Sequence, residues 1–198
     1  LQETIHLIKH RTGKSLDLSR IDFEDSNVYD MLSKSDTIGV FQVESAAQMQ
    51  TLPRLEPRNL KDMAFEVAAV RPGIGATDGV THFIHRRQGK EEISFDHPLE
   101  RAVLEKTLGI ILYQDQVNEL AMHLAGFSAR EADQMRRAFA KKNNQEILCY
   151  YWHKFSAGTT KRGISVNTAR RIFHKFNGGY MFPESHAVAF GVTAYQMS

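Results

Sequence analysis

The strongest constraint on this chain is a helical period that returns along most of its length. In "LKDMAFEVAAV" the apolar residues Leu60, Met63, Ala64, Val67 and Ala68 fall three and four apart, which lines one face of a helix. Asn59 stands before that stripe as an N-cap. The helix must stop before Pro72, because the residue preceding a proline disfavours helical geometry. The same reading extends in both directions. Leu1, Ile5 and Ile8 predict a helix ended near Gly13, Ser26 a cap for a short helix through Leu32, and a further helix runs from about Glu44 to near Pro53. "TIGVFQV" is brief and β-branched, which predicts an extended segment. After the loop "RPGIGATDG" come a short helix "VTHFIHRR", a turn at Gly89, a helix opened by Pro98, the apolar run "LGIILY" and an amphipathic helix closed by Gly126. Ser128 with Glu131 forms a capping box for the next helix. Helices from Gln145 to about Gly158, from Ser165 to Phe176 and from about Ser185 complete the pattern. The expected class is mainly α, a multi-helix domain with a few short strands or extended segments.

Composition narrows the function classes. No apolar run approaches the length of a membrane span, and the start "LQETIHLIKH" lacks the layout of a signal peptide. A single cysteine, Cys149, excludes an internal disulfide and is expected to serve as buried packing. These features fit a reducing cytosol, so a cytoplasmic location and no membrane partner are expected. Residues 1–100 carry 12 Lys/Arg against 16 Asp/Glu, whereas residues 101–198 carry 13 against 7, so the second half is the one suited to an anionic partner. The absence of an initial Met and the ending "TAYQMS" predict a piece of a larger protein.

Two stretches carry candidate chemistry. "EADQMRRAFAKKN" sets Arg136, Arg137, Lys141 and Lys142 on a helix that also holds Ala132, Met135, Ala138 and Phe139. Asp133 is four residues before Arg137, and Arg137 four before Lys141, so these share a face and Asp133 can orient Arg137. Arg136 is turned away by about 100° and is expected to meet a ligand from a second direction. Guanidinium forks suit phosphate oxygens, while a solvated basic face is the bland alternative. In "GGYMFPESHAVAFG", Glu184 or Ser185 can cap a helix with His186 in its first turn, where free N–H groups favour anions, while a capping motif with a structural histidine is the favoured bland alternative. Arg71, beside the turn of "RPGIG", could reach a phosphate or cap a helix end, but a plain loop is the favoured reading of that stretch. No metal-ligand spacing is found: His82 and His85 lack the carboxylate of a zinc hydrolase, and the acids of "DFEDSNVYD" sit in a connector. Tyr150, Tyr151, Trp152 and Phe155 could suggest base stacking, but their helical spacing favours core packing.

Taken together, "SDTIGVFQVESAAQM", "VAAVRPG", "HFIHRRQG", "LEKTLGIILYQDQV", "LAGFSAREADQMRRAFAKKN" and "FPESHAVAF" resemble, in order and spacing, the α subunit of bacterial DNA polymerase III, the C-family of polymerases. The form "PESHA" in place of "NKSHA" is similar to the accessory error-prone branch. The resemblance implies that residues 1–40 are the end of the palm with a connector, and residues 41–198 a helical fingers domain. It also implies that the catalytic aspartates and the Mg2+ they hold lie outside this chain, which then contains neither catalytic nor metal residues. Arg136 and Arg137 match the paired arginines that contact the triphosphate of an incoming dNTP, with Lys141 in support. Ser185 and His186 match a motif lining the nucleotide site, and Arg71 lies near it.

The implied partners are the dNTP, primer–template DNA and, for the whole protein, a sliding clamp and other replisome or repair-polymerase subunits. The whole protein is then a DNA-directed DNA polymerase, a nucleotidyltransferase of DNA replication, and the isolated chain is inactive. A non-catalytic helical DNA-binding module is the alternative. Three departures stand out: "RRAFAKK" replaces "RRAMGKK", which predicts a helix running straighter into the lysines, "RPGIG" replaces "RPGP", and Met181 stands where glycine is common.

Overall fold

The computed structural model describes residues 2–71, 75–76, 78–141, 144–176 and 181–198, without the side chains of residues 71, 75, 76 and 78. Among the described residues there are eleven α-helices: α1 (Gln2–Thr12), α2 (Ser26–Ser33), α3 (Ala46–Leu55), α4 (Leu60–Ala69), α5 (Asp78–Arg87), α6 (Pro98–Leu104), α7 (Gln114–Ala125), α8 (Ala129–Phe139), α9 (Gln145–Lys161), α10 (Val166–Lys175) and α11 (Glu184–Met197). Two short strands, β1 (Val70–Arg71) and β2 (Gly75–Ala76), pair with each other. The expected mainly α class is what the chain adopts. None of the described helices is long and apolar enough to cross a membrane.

The chain forms two compact units, Leu1–Gly75 with Ser185–Ser198, and Ala76–Glu184. In the first, Tyr29, Leu32, Val43, Leu52, Met63, Ala194 and Tyr195 form the core. Tyr195 anchors the connector before α2: its hydroxyl donates to Asp22 O at 2.8 Å and accepts from Asp25 N at 3.1 Å. α11 lies close on α4, where a Cβ added at Gly191 would be 3.1 Å from Ala64 N.

Three local expectations are corrected here. Asp25, not Ser26, caps α2, its carboxylate accepting the Asn27 N–H at 2.9 Å. α3 continues through Pro53 to Leu55. A proline removes the N–H that would reach the carbonyl four residues back. That carbonyl belongs to Met49 and accepts the Ser35 hydroxyl at 2.5 Å instead. Finally, "TIGVFQV" is a pair of turns rather than an extended segment. Gly39 and Gln42 adopt φ of +84° and +69°, and the Thr37 hydroxyl closes onto Val43 O at 2.7 Å. Its β-branched residues Val40 and Val43 are buried in the core and form no ladder.

In the second unit α7 packs against α6, α8 and α9, and α10 packs against α9. Gly126, at φ +70°, ends α7 as expected. Gly158 lets α9 pass that end, since a Cβ there would be 2.0 Å from Ala125 O. Phe155, Phe173 and Phe176 interlock, with Phe155 fully buried and 5.4 Å from Phe173. An ionic cluster ties α10 to the start of α6. Lys175 contacts Asp96 at 2.7 Å and the buried Glu100 at 2.5 Å, and Arg171 contacts Asp96. Burial raises the Asp96 carboxyl, but hydrogen bonds from Lys175 and Arg171 outweigh it and hold the group below its ordinary range.

Candidate functional site

The helix bearing the paired arginines is fastened at both ends. At its start the capping box is present in full: Glu131 N donates to Ser128 Oγ at 3.3 Å, and Ser128 N donates to Glu131 Oε2 at 2.9 Å. Glu131 has a further partner in Lys154 of α9. The Lys154 hydrogen bond first, and the Ser128 donors after it, push the Glu131 carboxyl down to about 2. Along the helix Ala132, Met135 and Ala138 are buried, and the charged face is turned away from them. At its far end the Asn144 amide donates to Ala138 O and Phe139 O, each at 3.2 Å, answering carbonyls the helix leaves open.

Asp133 binds both arginines, not Arg137 alone. Its Oδ1 accepts from Arg136 Nη2 at 2.6 Å and its Oδ2 from Arg137 Nε at 2.7 Å. The expectation of a freed Arg136 overlooked that positions three and four ahead are both within reach of one carboxylate. The hydrogen bond from Arg136, joined by that from Arg137, holds the Asp133 carboxyl below its ordinary range. The two guanidiniums differ in setting. The Arg136 side chain is 21% exposed and that of Arg137 69%. Arg136 Nε is buried and has no hydrogen-bond partner among the described residues. The helix does not run on into the lysines. It stops at Phe139, whose ring lies 5.3 Å from Phe173 and 5.9 Å from Phe176, and Ala140 is its C-cap. The Phe139 ring is packed at this end, and Ala140, although a strong helix former, does not extend the helix. Lys141 is therefore past the helix and exposed, so the helical spacing that set it with Asp133 and Arg137 does not apply to it. Lys142 lies outside the described residues, as does the Arg71 side chain.

Ser185 and His186 belong to the first compact unit and the arginines to the second. α11 begins at Glu184, so Ser185 is inside it and does not cap it. The Glu184 N–H donates to Asp115 Oδ2 at 2.8 Å, and the Glu184 carboxylate pairs with Lys106. Ser185 and His186 are both exposed. The His186 ring lies 5.8 Å from Phe190, which in turn stacks on the partly exposed Phe41 at 5.5 Å. Sequence reasoning missed this ring series. The spacing of four between His186 and Phe190 was a signal for its first step, but nothing local pairs Phe190 with Phe41.

Cys149 is exposed, a correction to its expected burial, because it faces outward on α9 beside Tyr150. Tyr151 and Phe155 are buried, in line with core packing, whereas Tyr150 is 59% exposed. His82 meets Glu91 at 2.7 Å. Among the described residues no group of three or more His, Cys, Asp or Glu is placed to hold a metal ion.

Comparison with known proteins gives this geometry its kinship. Residues 1–163 match the family described as the bacterial DNA polymerase III alpha subunit finger domain. The chain is 42% identical over 97% of its length to error-prone DNA polymerase 1 of Agrobacterium fabrum, and 40% identical over 98% to the error-prone DNA polymerase of Corynebacterium efficiens. It is 42% identical over 98% to the error-prone DNA polymerase of Vibrio parahaemolyticus. It spans only 18–19% of the length of these relatives. A match over most of the chain, joined to this identity, is decisive: the chain belongs to the finger-domain family of the bacterial DNA polymerase III alpha subunit, on the error-prone branch of the C-family polymerases.

Proposed function

We propose that this chain is the end of a palm (residues 1–40) and the helical fingers (41–198) of a template-directed DNA polymerase, and that α8 grips the triphosphate of the incoming dNTP. One observation carries the reading: a single carboxylate, Asp133, holds the guanidiniums of Arg136 and Arg137 at 2.6 and 2.7 Å. Carboxylate and phosphate oxygens offer the same acceptor geometry to a guanidinium. Asp133 thus keeps both forks aimed and separated as a phosphate group needs them. Phosphoryl transfer depends on positioning and on neutralising charge, and two fixed cations supply both.

In this reading Lys141 adds a cation past the helix, and Ser185 and His186 line the nucleotide site from α11. Arg71 stands near it. The described residues offer no metal site of three or more ligands. Mg2+ is left to carboxylates elsewhere in the whole enzyme, as the family resemblance implies, and the part of these residues is to bind and orient. Primer–template DNA is the second substrate, and a sliding clamp with other replisome or repair-polymerase subunits are partners of the whole protein, in the cytoplasm. The test is steady-state primer extension by the full-length polymerase carrying Arg136→Ala or Arg137→Ala. Each is expected to raise KM for dNTP while leaving affinity for primer–template unchanged. Wild-type kinetics in both variants would remove the assignment. The chain alone is expected to extend no primer.

A further inference from the structure

We propose that the aromatic groove between α9 and α10 is a stacking site for an unpaired base of single-stranded nucleic acid. This goes beyond triphosphate binding and rests on the polymerase reading only for the source of the strand. The groove has a volume of about 530 Å³ and lies within the second compact unit. Phe139, the last residue of α8, lines it together with Trp152 and Phe173. Of the lining residues Phe173 is buried, while Cys149, Arg170 and His174 are exposed. The Arg170 guanidinium lies 5.5 Å from the centre of the Trp152 ring. Trp152 also meets Phe173 edge-on at 5.4 Å, which fixes the indole plane.

Charge and shape together select the occupant. No carboxylate is among the described residues lining the groove. Residues 129–176, which carry α8 to α10, hold 11 Lys/Arg against three Asp/Glu, a net of +8 in a chain whose total is +2. Two of the three acids, Glu131 and Asp133, are already paired with cations of the same segment, and Asp96 and Glu100 from outside it meet Arg171 and Lys175, which still leaves an excess of cations. A polyanion is the complement of such a surface. An acidic peptide would satisfy the charge but leave the aromatic surfaces uncovered. A single strand satisfies both, because each base has a π-face for Trp152 or the Arg170 guanidinium, and its phosphates follow the cations. Duplex DNA keeps its bases stacked inside and cannot offer one to the groove.

Cys149 provides the readout. In the full-length polymerase, alkylation of the peptide containing Cys149 by iodoacetamide is followed by mass spectrometry, without dNTP. A primer–template with an oligothymidylate 5′ overhang is expected to slow that alkylation by about fivefold or more, and a blunt duplex to leave it unchanged. Protection is expected to be lost in Trp152→Ala and in Arg170→Ala, and kept in Trp152→Phe. The exposed Arg170 keeps the test valid if Trp152→Ala fails to fold. Unchanged alkylation with the overhang would overturn the proposal. So would protection surviving Arg170→Ala and a folded Trp152→Ala, or equal protection by poly-glutamate, which would mark a surface for acidic peptides. Because dNTP is absent, failure here leaves the Arg136 and Arg137 assignment standing, and normal dNTP kinetics in those variants leaves the groove result standing.

Discussion

The last turn of α8 and the first turn of α11 present positive charge by opposite means. A helix ends in open carbonyls and starts with open N–H groups, so its dipole is negative at the end of α8 and positive at the start of α11. At α8 the cations are side chains. Arg136 and Arg137 sit in the last turn, where the dipole favours them, and Asp133 spaces them. At α11 the backbone supplies the charge, but two carboxylates already answer it: Asp115 takes the Glu184 N–H, and Glu184 itself stands in the first turn. An anion arriving at α8 meets two guanidiniums with further donors to offer. An anion arriving at α11 must share the helix start with resident acids. On the proposed reading, the difference would give α8 the binding strength and Ser185 and His186 a lesser, orienting role.

That ranking can be broken by kinetics. Arg136→Ala is expected to give the largest effect, a rise in KM for dNTP of about 10- to 100-fold, the range for losing a charge-assisted hydrogen bond from a partly desolvated group. Arg137 is mostly exposed, where solvent and salt weaken charge interactions. Arg137→Ala is expected to raise KM by about fivefold, an effect that shrinks as salt is added. Steady-state primer extension at two ionic strengths checks both. If Arg137→Ala costs more than Arg136→Ala, exposure rather than desolvation ranks the pair.

Much of this arrangement was legible in the sequence. Caps and punctuation act within a few residues, so Asn59, Pro98, Gly126 and the Ser128–Glu131 box could be read directly and stand where expected. Some misses were local, the Asp25 cap and the Thr37–Val43 turn among them, but others were not. Ser35 rescues the carbonyl that Pro53 orphans from fourteen residues before Met49. Lys154 reaches Glu131 across 23 residues. Phe139 finds Phe173 and Phe176, which follow it in the sequence only after the whole of α9. The arginine pair was legible as a spacing, but its bidentate anchor was not. Choosing between partners three and four residues away depends on side-chain paths that a helical wheel omits.

α11 gives the next smaller effect. His186→Ala is expected to raise KM for dNTP by about threefold, the scale of a side chain acting beside a helix terminus whose dipole is already answered. Primer extension with the same template checks it. A rise matching that of Arg136→Ala would reverse the comparison and make the start of α11 the principal anion site.

The smallest effect concerns what holds α8 in place. The Glu131 carboxyl is pushed down to about 2, chiefly by the Lys154 hydrogen bond. A carboxyl whose folded value lies below its unfolded one contributes stability that is complete above the unfolded value, here 4.5, and is lost as pH falls toward 2. The wild-type melting temperature is therefore expected to drop more steeply between those pH values than that of Glu131→Gln. Glutamine can still close the capping box onto Ser128 but carries no charge for Lys154 to meet. Lys154→Met should flatten the profile in the same direction, because the cation is the first cause of the shift. Circular dichroism melts across that range measure all three proteins. Parallel curves for wild type and Glu131→Gln would mean that α8 is held by its cap and apolar face alone, and that the Lys154 pair is too solvated to matter.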